Sequence, residues 1–166
     1  MNKTPASSGF SLLEVLIALV ILSVGLLGIA GLMSTSLKSN DSAYMQSQAT
    51  VLAYNMIDRM RANMTGTIGL TYNVAMPATP APSGSTACTG AGAGCASPAL
   101  AAYNIAQWEY DLATALPQGR GAINTVPNGG VYTVTIKVLW NDSRANQALG
   151  GTLAPANTSV SVTSAL

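Results

Sequence analysis

Few side chains in this 166-residue sequence could carry out acid–base or nucleophilic chemistry. There is no histidine, which removes imidazole as a general base, as the partner of a nucleophile and as a metal ligand. Glu109 and Asp111 are the closest pair of carboxylates in the sequence. Because residues two apart on a helix point in different directions, we expect both to be solvated rather than catalytic. The sequence therefore predicts no catalytic residue, no metal site and no cofactor.

Charge is scarce along the whole chain. Charged residues make up 8% of the sequence, against about 25% in an average globular domain, and the formal net charge is +1. No basic surface is available to hold nucleic acid by counterion release, so we expect no nucleic-acid partner. The length allows one domain, and a second only if it is very small.

An apolar run occupies residues 15–33, where no residue is charged and only Ser23 has a polar side chain. This is about the length needed to cross the hydrocarbon core of a bilayer as a helix. Glu14 stands at its head, and an acid inside a membrane costs about 2.5–3.5 kcal/mol unless it is paired. Cleavage after Gly9 would give Phe10 a free cationic amine one helical turn before Glu14. A cleavable secretory signal or an ordinary single-span anchor leaves this acid unexplained.

The segment Gly9-Phe10-Ser11-Leu12-Leu13-Glu14-Val15 resembles the processing site of type IV pilins and pseudopilins. The resemblance implies that a prepilin peptidase cuts after Gly9 and methylates the new amino-terminal Phe10. It also implies that Glu14 pairs with a terminal amine during assembly and so sets the axial register of the subunit. The sequence departs from the family in two ways: no basic residue directly precedes Gly9, and Gly31 stands where many major pilins have proline.

Three glycines in the apolar run, Gly25, Gly28 and Gly31, recur at three-residue spacing. Small residues in line let neighbouring helices approach closely. Ordinary glycines of a membrane span would give the same spacing, so a special packing face and a plain span both fit.

The helical pattern continues beyond the apolar run. Apolar residues recur at steps of four, three, four and four, which predicts one continuous helix over residues 10–63, about 80 Å long; they are Met45, Ala49, Leu52, Met56 and Met60. Near its end, Asp58 and Arg61 have i, i+3 spacing, and Arg59 and Arg61 fit a solvated helix terminus. Residues 56–63, together with the apolar head, resemble the PilV group of minor pilins.

Residues 64–97 are rich in Thr, Ala, Pro, Gly and Ser, and this composition predicts an irregular surface loop. Cys88 and Cys95 lie in it, separated by six small residues. In an oxidising compartment they would form a local disulfide, although two free thiols are also compatible with the sequence. A metal site is disfavoured because two thiolates need further ligands and no histidine is available.

The remainder predicts one more helix and three strands. A Ser-Pro start signal and an apolar stripe predict the helix over residues 97–116. Alternating residues predict strands over 122–126, 132–140 and 159–163, with a hairpin turn at 127–130. The fold class is therefore α+β, a long amino-terminal helix packed on a small antiparallel sheet.

The apolar run and the resemblance to type IV pilins together imply a leader at residues 1–9, a membrane-spanning and assembly helix at 10–36, and a periplasmic pilin domain at 37–166. The resemblance implies a minor pilin, located in the inner membrane before assembly and in the pilus on the cell surface afterwards. Implied partners are the membrane, other minor and major pilins, the prepilin peptidase and the inner-membrane assembly machinery, with effects on adhesion or twitching motility. A type II secretion pseudopilin and a membrane-tethered periplasmic enzyme or binding protein are the alternatives.

Overall fold

The computed structural model describes residues 10–85, 88–89, 94–143 and 157–166. Within them, three helices precede three strands. The elements are α1 Leu12–Ala62, α2 Met64–Ile68, α3 Ser97–Ala115, β1 Arg120–Asn128, β2 Val131–Asn141 and β3 Asn157–Ala165. The predicted α+β class, with its long amino-terminal helix on a small antiparallel sheet, is confirmed.

The helix α1 runs without a break for 51 residues, a length of about 77 Å at 1.5 Å per residue. Continuity is possible because no proline occurs between residues 10 and 76, so no helix hydrogen bond is lost. Every residue from 10 to 41 is exposed, and full burial begins at Ala49. The two halves of one helix therefore lie in different surroundings.

The three strands form an antiparallel sheet in the order β1-β2-β3. Ile123 pairs with Ile136, and Ile136 pairs with Val162 across the next ladder. The β1–β2 hairpin turns at Gly129 and Gly130, with φ of 60° and 94°, values that glycine adopts without steric cost. The predicted hairpin is at this position, and each strand is longer than predicted.

The core lies between the second half of α1, the helix α3 and the inner face of the sheet. It includes the stripe expected on α1 and both tryptophans; its fully buried large side chains include Met56, Ile57, Met60, Tyr72, Trp108, Leu112, Ile136 and Trp140. The Trp108 indole N–H donates to the carbonyl of Leu52, 2.9 Å away. The central part of α3 is thus fixed to α1 by both apolar packing and a hydrogen bond.

A short helix, α2, begins in the segment predicted to be irregular throughout. The Asn63 side chain accepts a hydrogen bond from the N–H of Gly66 (3.4 Å), and the Thr67 hydroxyl donates to the carbonyl of Met60 (2.9 Å). Asn63 also donates to the buried Tyr72 hydroxyl, which accepts a second hydrogen bond from Asn104 of α3. Tertiary contacts around Asn63 therefore order a segment whose composition predicts a loop.

Two further local details differ from the sequence prediction. Ala96 is the N-cap residue of α3, so Ser97 is its first helical residue and Pro98 lies in its first turn, where a missing N–H costs nothing.

Val74 forms an antiparallel bridge with Ile123 on the far side of β1 from β2. This bridge satisfies part of a strand edge that the sequence leaves open. The predicted loop over residues 141–155 lies largely outside the described residues.

Close packing of α3 on β1 requires glycine at position 121. A Cβ atom added there would lie 2.8 Å from Cδ1 of Leu112 and closer still to the ring of Trp108. We predict that Gly121→Ala lowers the free energy of unfolding by about 2 kcal/mol, because two buried side chains must shift. Thermal unfolding of the full-length protein in detergent micelles measures the change.

Gly94→Ala is the matched control, because a Cβ atom added there meets no atom within 4 Å. It should change the free energy of unfolding by less than about 0.5 kcal/mol. Equal stability of the two variants would contradict the tight contact between α3 and β1.

Candidate assembly interface

The first half of α1 presents an apolar surface that the rest of the described chain leaves uncovered. Its large apolar side chains range in exposure from 50% at Val15 to 79% at Leu12, and Phe10, just before the helix, is 84% exposed. Within the part of the chain that the structure describes, α1 is the one helix long and apolar enough to cross a membrane. Soluble monomers rarely expose so large a contiguous apolar patch. This half of α1 therefore needs lipid or another protein against it.

The amino end of α1 places one acid beside this surface. The carbonyl of Ser11 accepts from the backbone N–H groups of Glu14 (3.0 Å) and Val15 (3.3 Å), which starts the helix. Glu14 is exposed in the first turn, where the positive end of the helix dipole favours an anion. It belongs to neither of the two ion pairs found among the described residues. Its position leaves it available to a cation from outside this chain.

Glu14 also lines an apolar groove of the helix surface. That groove, of about 330 Å³, is lined by Phe10, Glu14, Val15, Ala18, Leu19 and Leu22. A second groove, of about 230 Å³, is lined by Leu13, Leu16, Ile17, Val20 and Ile21. Helices pack by placing the side-chain ridges of one into such grooves of another. The acid is thus part of a surface that a neighbouring helix can contact.

Of the other residues predicted to act in this segment, the structure describes Phe10 and the three glycines of the apolar run. Phe10 is exposed at the start of the described chain. Gly9, on the other side of the predicted cleavage site, lies outside the described residues. A Cβ atom added at Gly25, Gly28 or Gly31 would meet no atom within 4 Å. Packing within this chain therefore does not require these glycines, and their role in helix packing between subunits stays a prediction.

Arg59 joins α1 to α3, which differs from the solvated helix end expected from the sequence. Its guanidinium donates to the Asn55 side chain (2.8 Å), to the carbonyl of Asn104 (3.3 Å) and to the Asp111 carboxylate (3.3 Å). Arg61 fits the expectation better, because it forms an exposed i, i+3 pair with Asp58 at 3.0 Å. Arg59 and Arg61 therefore have different roles that their spacing did not reveal.

The paired carboxylates of α3 lie in two environments. Asp111 accepts from Arg59 and also from the Gln107 amide at 3.1 Å, and 30% of its side chain is exposed, so it is only partly solvated. Burial raises the pKa of Glu109 above its usual value. Asp111 is occupied by these structural contacts, and no group of three or more His, Cys, Asp or Glu able to hold a metal occurs among the described residues.

Cys88 and Cys95 form a disulfide, with Cα atoms 5.9 Å apart. The pairing resolves the two possibilities that the sequence left open. Because only seven positions separate the cysteines, the bond closes a short loop and its entropic stabilisation is limited. It therefore constrains the segment just before α3 rather than holding the whole body together.

Two family profiles match consecutive parts of the chain. The prokaryotic N-terminal methylation motif matches residues 5–30. The family described as type IV pilin Tt1218 matches residues 31–106, which include the second half of α1 and the first part of α3. The chain matches none of the curated proteins and none of the solved structures with which it was compared.

We predict that Arg59→Ala lowers the free energy of unfolding by roughly 1–2 kcal/mol, because the Asp111 carboxylate loses its cationic donor and keeps only the Gln107 amide, and the Asn104 carbonyl loses its bond to the guanidinium. Arg61→Ala should cost no more than about 0.5 kcal/mol, since its pair with Asp58 is exposed. Thermal unfolding of the two variants, followed by circular dichroism, compares them. Arg59→Lys should give an intermediate loss, since ammonium cannot reproduce the guanidinium fork. Equal costs for Arg59→Ala and Arg61→Ala would rule out Arg59 as the link between α1 and α3.

Proposed function

The chain is a type IV pilin-like protein, and from that premise we propose that it is a minor pilin built into a type IV pilus through the first half of α1. One observation carries the proposal. A continuous helix extends out of the folded body. The apolar surface of the extended half is uncovered, and one acid, Glu14, lies in its first turn. Such a helix suits a subunit that moves from lipid into a bundle of similar helices.

In this proposal, cleavage and methylation of the amino terminus provide a cation close to Glu14. The prepilin peptidase removes residues 1–9 and methylates Phe10, so that the mature helix starts with a secondary amine that remains cationic. That amine lies one helical turn before Glu14. Within the membrane the two charges of one subunit can offset each other, which lowers the cost of placing an acid in an apolar environment.

Glu14 sets the axial position of the subunit in the fibre. An unpaired carboxylate is costly in a bundle of apolar helices, whereas one paired with the amine of a neighbouring subunit is tolerated. Sliding the helix by one turn separates acid and amine by about 5.4 Å along the axis. Apolar contacts in the groove beside Glu14 attract a neighbouring helix but do not fix its axial position. The ion pair between Glu14 and the amine fixes that position.

The division of the chain follows from its charge and burial. Residues 10–36 form the membrane and assembly segment, and residues 37–166 form the body, which faces the periplasm before assembly and the cell exterior afterwards. Lys38 is the first charged residue after Glu14, and contact with the body begins at Ser42 and Met45, which are partly buried. The match to pilin families points to a structural protein rather than an enzyme.

The proposed partners are other minor and major pilins, the prepilin peptidase and the inner-membrane assembly machinery. Similarity of residues 56–63 and of the apolar head to the PilV group supports a minor role that affects assembly, adhesion or twitching motility. A type II secretion pseudopilin would use the same amino-terminal helix. Loss of pili or of twitching on deletion, with secretion intact, distinguishes the pilus subunit from the pseudopilin.

Processing predicts a defined mature chain. Mass analysis of the protein isolated from its native host should give an amino terminus at Phe10. That residue should carry one methyl group, which adds about 14 Da to its mass. Protein from a strain without the peptidase should keep residues 1–9. A mature chain that begins elsewhere would contradict the assignment of Gly9 and Phe10.

Pairing of Glu14 predicts a loss of assembly without a loss of folding. Glu14→Ala and Glu14→Gln should each reduce the amount of the protein in sheared pili at least about tenfold, as expected for loss of a stabilising interaction of 1.4 kcal/mol or more. Their levels in the membrane should not change, since Glu14 makes no ion pair in the described chain. Immunoblots of the pilus and membrane fractions measure both quantities.

Ser23→Ala is the matched control in the same segment. The Ser23 hydroxyl donates to the carbonyl of Val20 in its own helix, 2.9 Å away, so its loss should leave incorporation unchanged. Normal incorporation of the Glu14 variants would refute the role of Glu14 in setting register.

A further inference from the structure

A stripe of large side chains runs along the second half of α1, on the side that faces away from the body. Its members, each more than half exposed, form the outer stripe and are Leu37, Tyr44, Val51 and Tyr54. Val51 is two positions from the buried residues Ala49 and Ala53, so it lies about 160° around the helix from each of them. Exposed Met33, four positions before Leu37, joins the outer stripe to the apolar surface of the first half of α1.

The side of α1 that carries the outer stripe lacks charge. No charged residue occurs in residues 42–57. A helix with one side in water usually has charged residues on that side. The centre of a protein interface, in contrast, is poor in charge and rich in tyrosine. The outer stripe therefore has the composition of a covered surface, although the described part of the chain leaves it exposed.

Lipid cannot cover the outer stripe along its full length. Tyr54 lies about 27 Å along the helix beyond residue 36, the end of the proposed membrane segment. The headgroup region on each side of the hydrocarbon core is only about 5–8 Å thick. A protein surface must therefore cover the far end of the stripe.

We propose that the outer stripe pairs with the same stripe of a second copy of this chain, as two parallel helices in register. The inference rests on the proposed function at one point: both copies cross the same membrane in the same sense, which makes their helices parallel. The body of each copy packs on the opposite side of its helix. The two bodies therefore point away from each other and leave the contact free.

The polar residues within the stripe favour pairing in register. Asn40 and Ser47 lie between its large residues at steps of three and four. In a parallel pair without a shift, each residue faces its own copy, so that amide meets amide and hydroxyl meets hydroxyl. A shift of one turn would place one Asn40 amide against Leu37, where it finds no partner, and one polar residue in an apolar seam is known to set register in this way. Because residues 42–57 carry no charge, no like charges meet along this part of the pair.

Disulfide cross-linking in membranes tests the pairing. Cys88 and Cys95 are bonded to each other, so an introduced cysteine provides the free thiol. Full-length Ser47→Cys, expressed in the inner membrane of a bacterium that makes no other pilin, should form a disulfide-linked dimer on mild oxidation. The bond requires Cα atoms about 4.4–6.8 Å apart, which the two positions reach only when the stripes face each other. Non-reducing gel electrophoresis separates the dimer from the 16.8 kDa monomer.

Gln46→Cys is the matched control. Gln46 and Ser47 are both exposed neighbours in α1, but their side chains lie about 100° apart around the helix. The control should give at least about tenfold less dimer, because its thiol points away from the partner helix. Absence of the dimer with Ser47→Cys, or an equal amount with Gln46→Cys, would overturn the proposal.

Charged variants at Val51 distinguish a specific pair from random collision. Val51 is 60% exposed, so Val51→Lys and Val51→Glu should each leave the body folded. Either change, made in the Ser47→Cys chain, should reduce the dimer at least about fivefold, because like charges then face each other. Co-expression of the two charged chains, with tags of different length, should restore a mixed dimer. A dimer that ignores these charges, or that mixing does not restore, would contradict pairing through the stripe.

The cross-link is measured in membranes without pili, so it is independent of the Glu14 experiment. Loss of the cross-link together with normal, Glu14-dependent incorporation into pili would refute the pairing alone. A cross-linked chain that never enters pili would refute the proposed function alone.

Discussion

The apolar surface of the first half of α1 has no cover within the described chain, and the rest of the molecule is organised around this condition. A helix satisfies its own backbone hydrogen bonds, so the segment can lie in lipid or among other helices without exposing unpaired N–H and C=O groups. Because no proline interrupts it, the same helix continues to Ala62 and provides the stripe on which the body is built. One half of this helix therefore packs in the core of the chain, and the other half has an apolar surface that only lipid or another molecule can cover.

The body is attached to α1 by polar contacts as well as by apolar packing. The Trp108 indole reaches the carbonyl of Leu52, Arg59 reaches α3, and Asp142 accepts from Ser42. These contacts are distributed from the point where α1 leaves the body to its last turn. Apolar contacts alone allow a helix to slide or rotate, whereas hydrogen bonds to fixed positions define its orientation. The body is thereby held at a defined angle to the first half of α1.

The few charged residues of this chain differ in whether the fold gives them a partner of opposite charge. Arg59 and Arg61 are paired with Asp111 and Asp58 near the carboxyl end of α1, which leaves Glu14 at the opposite end of the same helix in neither pair. A chain with few charges can place one where its partner must come from another molecule. In a bundle of apolar helices, such a charge restricts the relative position of two helices more than many aliphatic contacts do, because the energy of a charge pair depends on the distance between the charges.

Local patterns were sufficient to predict α1, α3 and the three strands. The apolar stripe and the absence of proline predicted α1, and Gly129 and Gly130 predicted the hairpin, because both signals act between neighbours in sequence. The helix α2 was missed, because Asn63, Thr67 and Tyr72 order it through contacts beyond its own composition. The apolar surface of the first half of α1 could be predicted from sequence because all of its residues belong to one continuous segment of the chain.

The sequence by itself determined which half of α1 lacks cover within the chain, since that depends on side-chain polarity and helical spacing. Only the tertiary structure decided that Asp111, 52 residues from Arg59, is its partner, and that Asp142 lies against Ser42, 100 residues away. The physical reason is that both pairings depend on how α3 and the end of β2 lie against α1. That arrangement is set by the whole core, and no short stretch of sequence contains it.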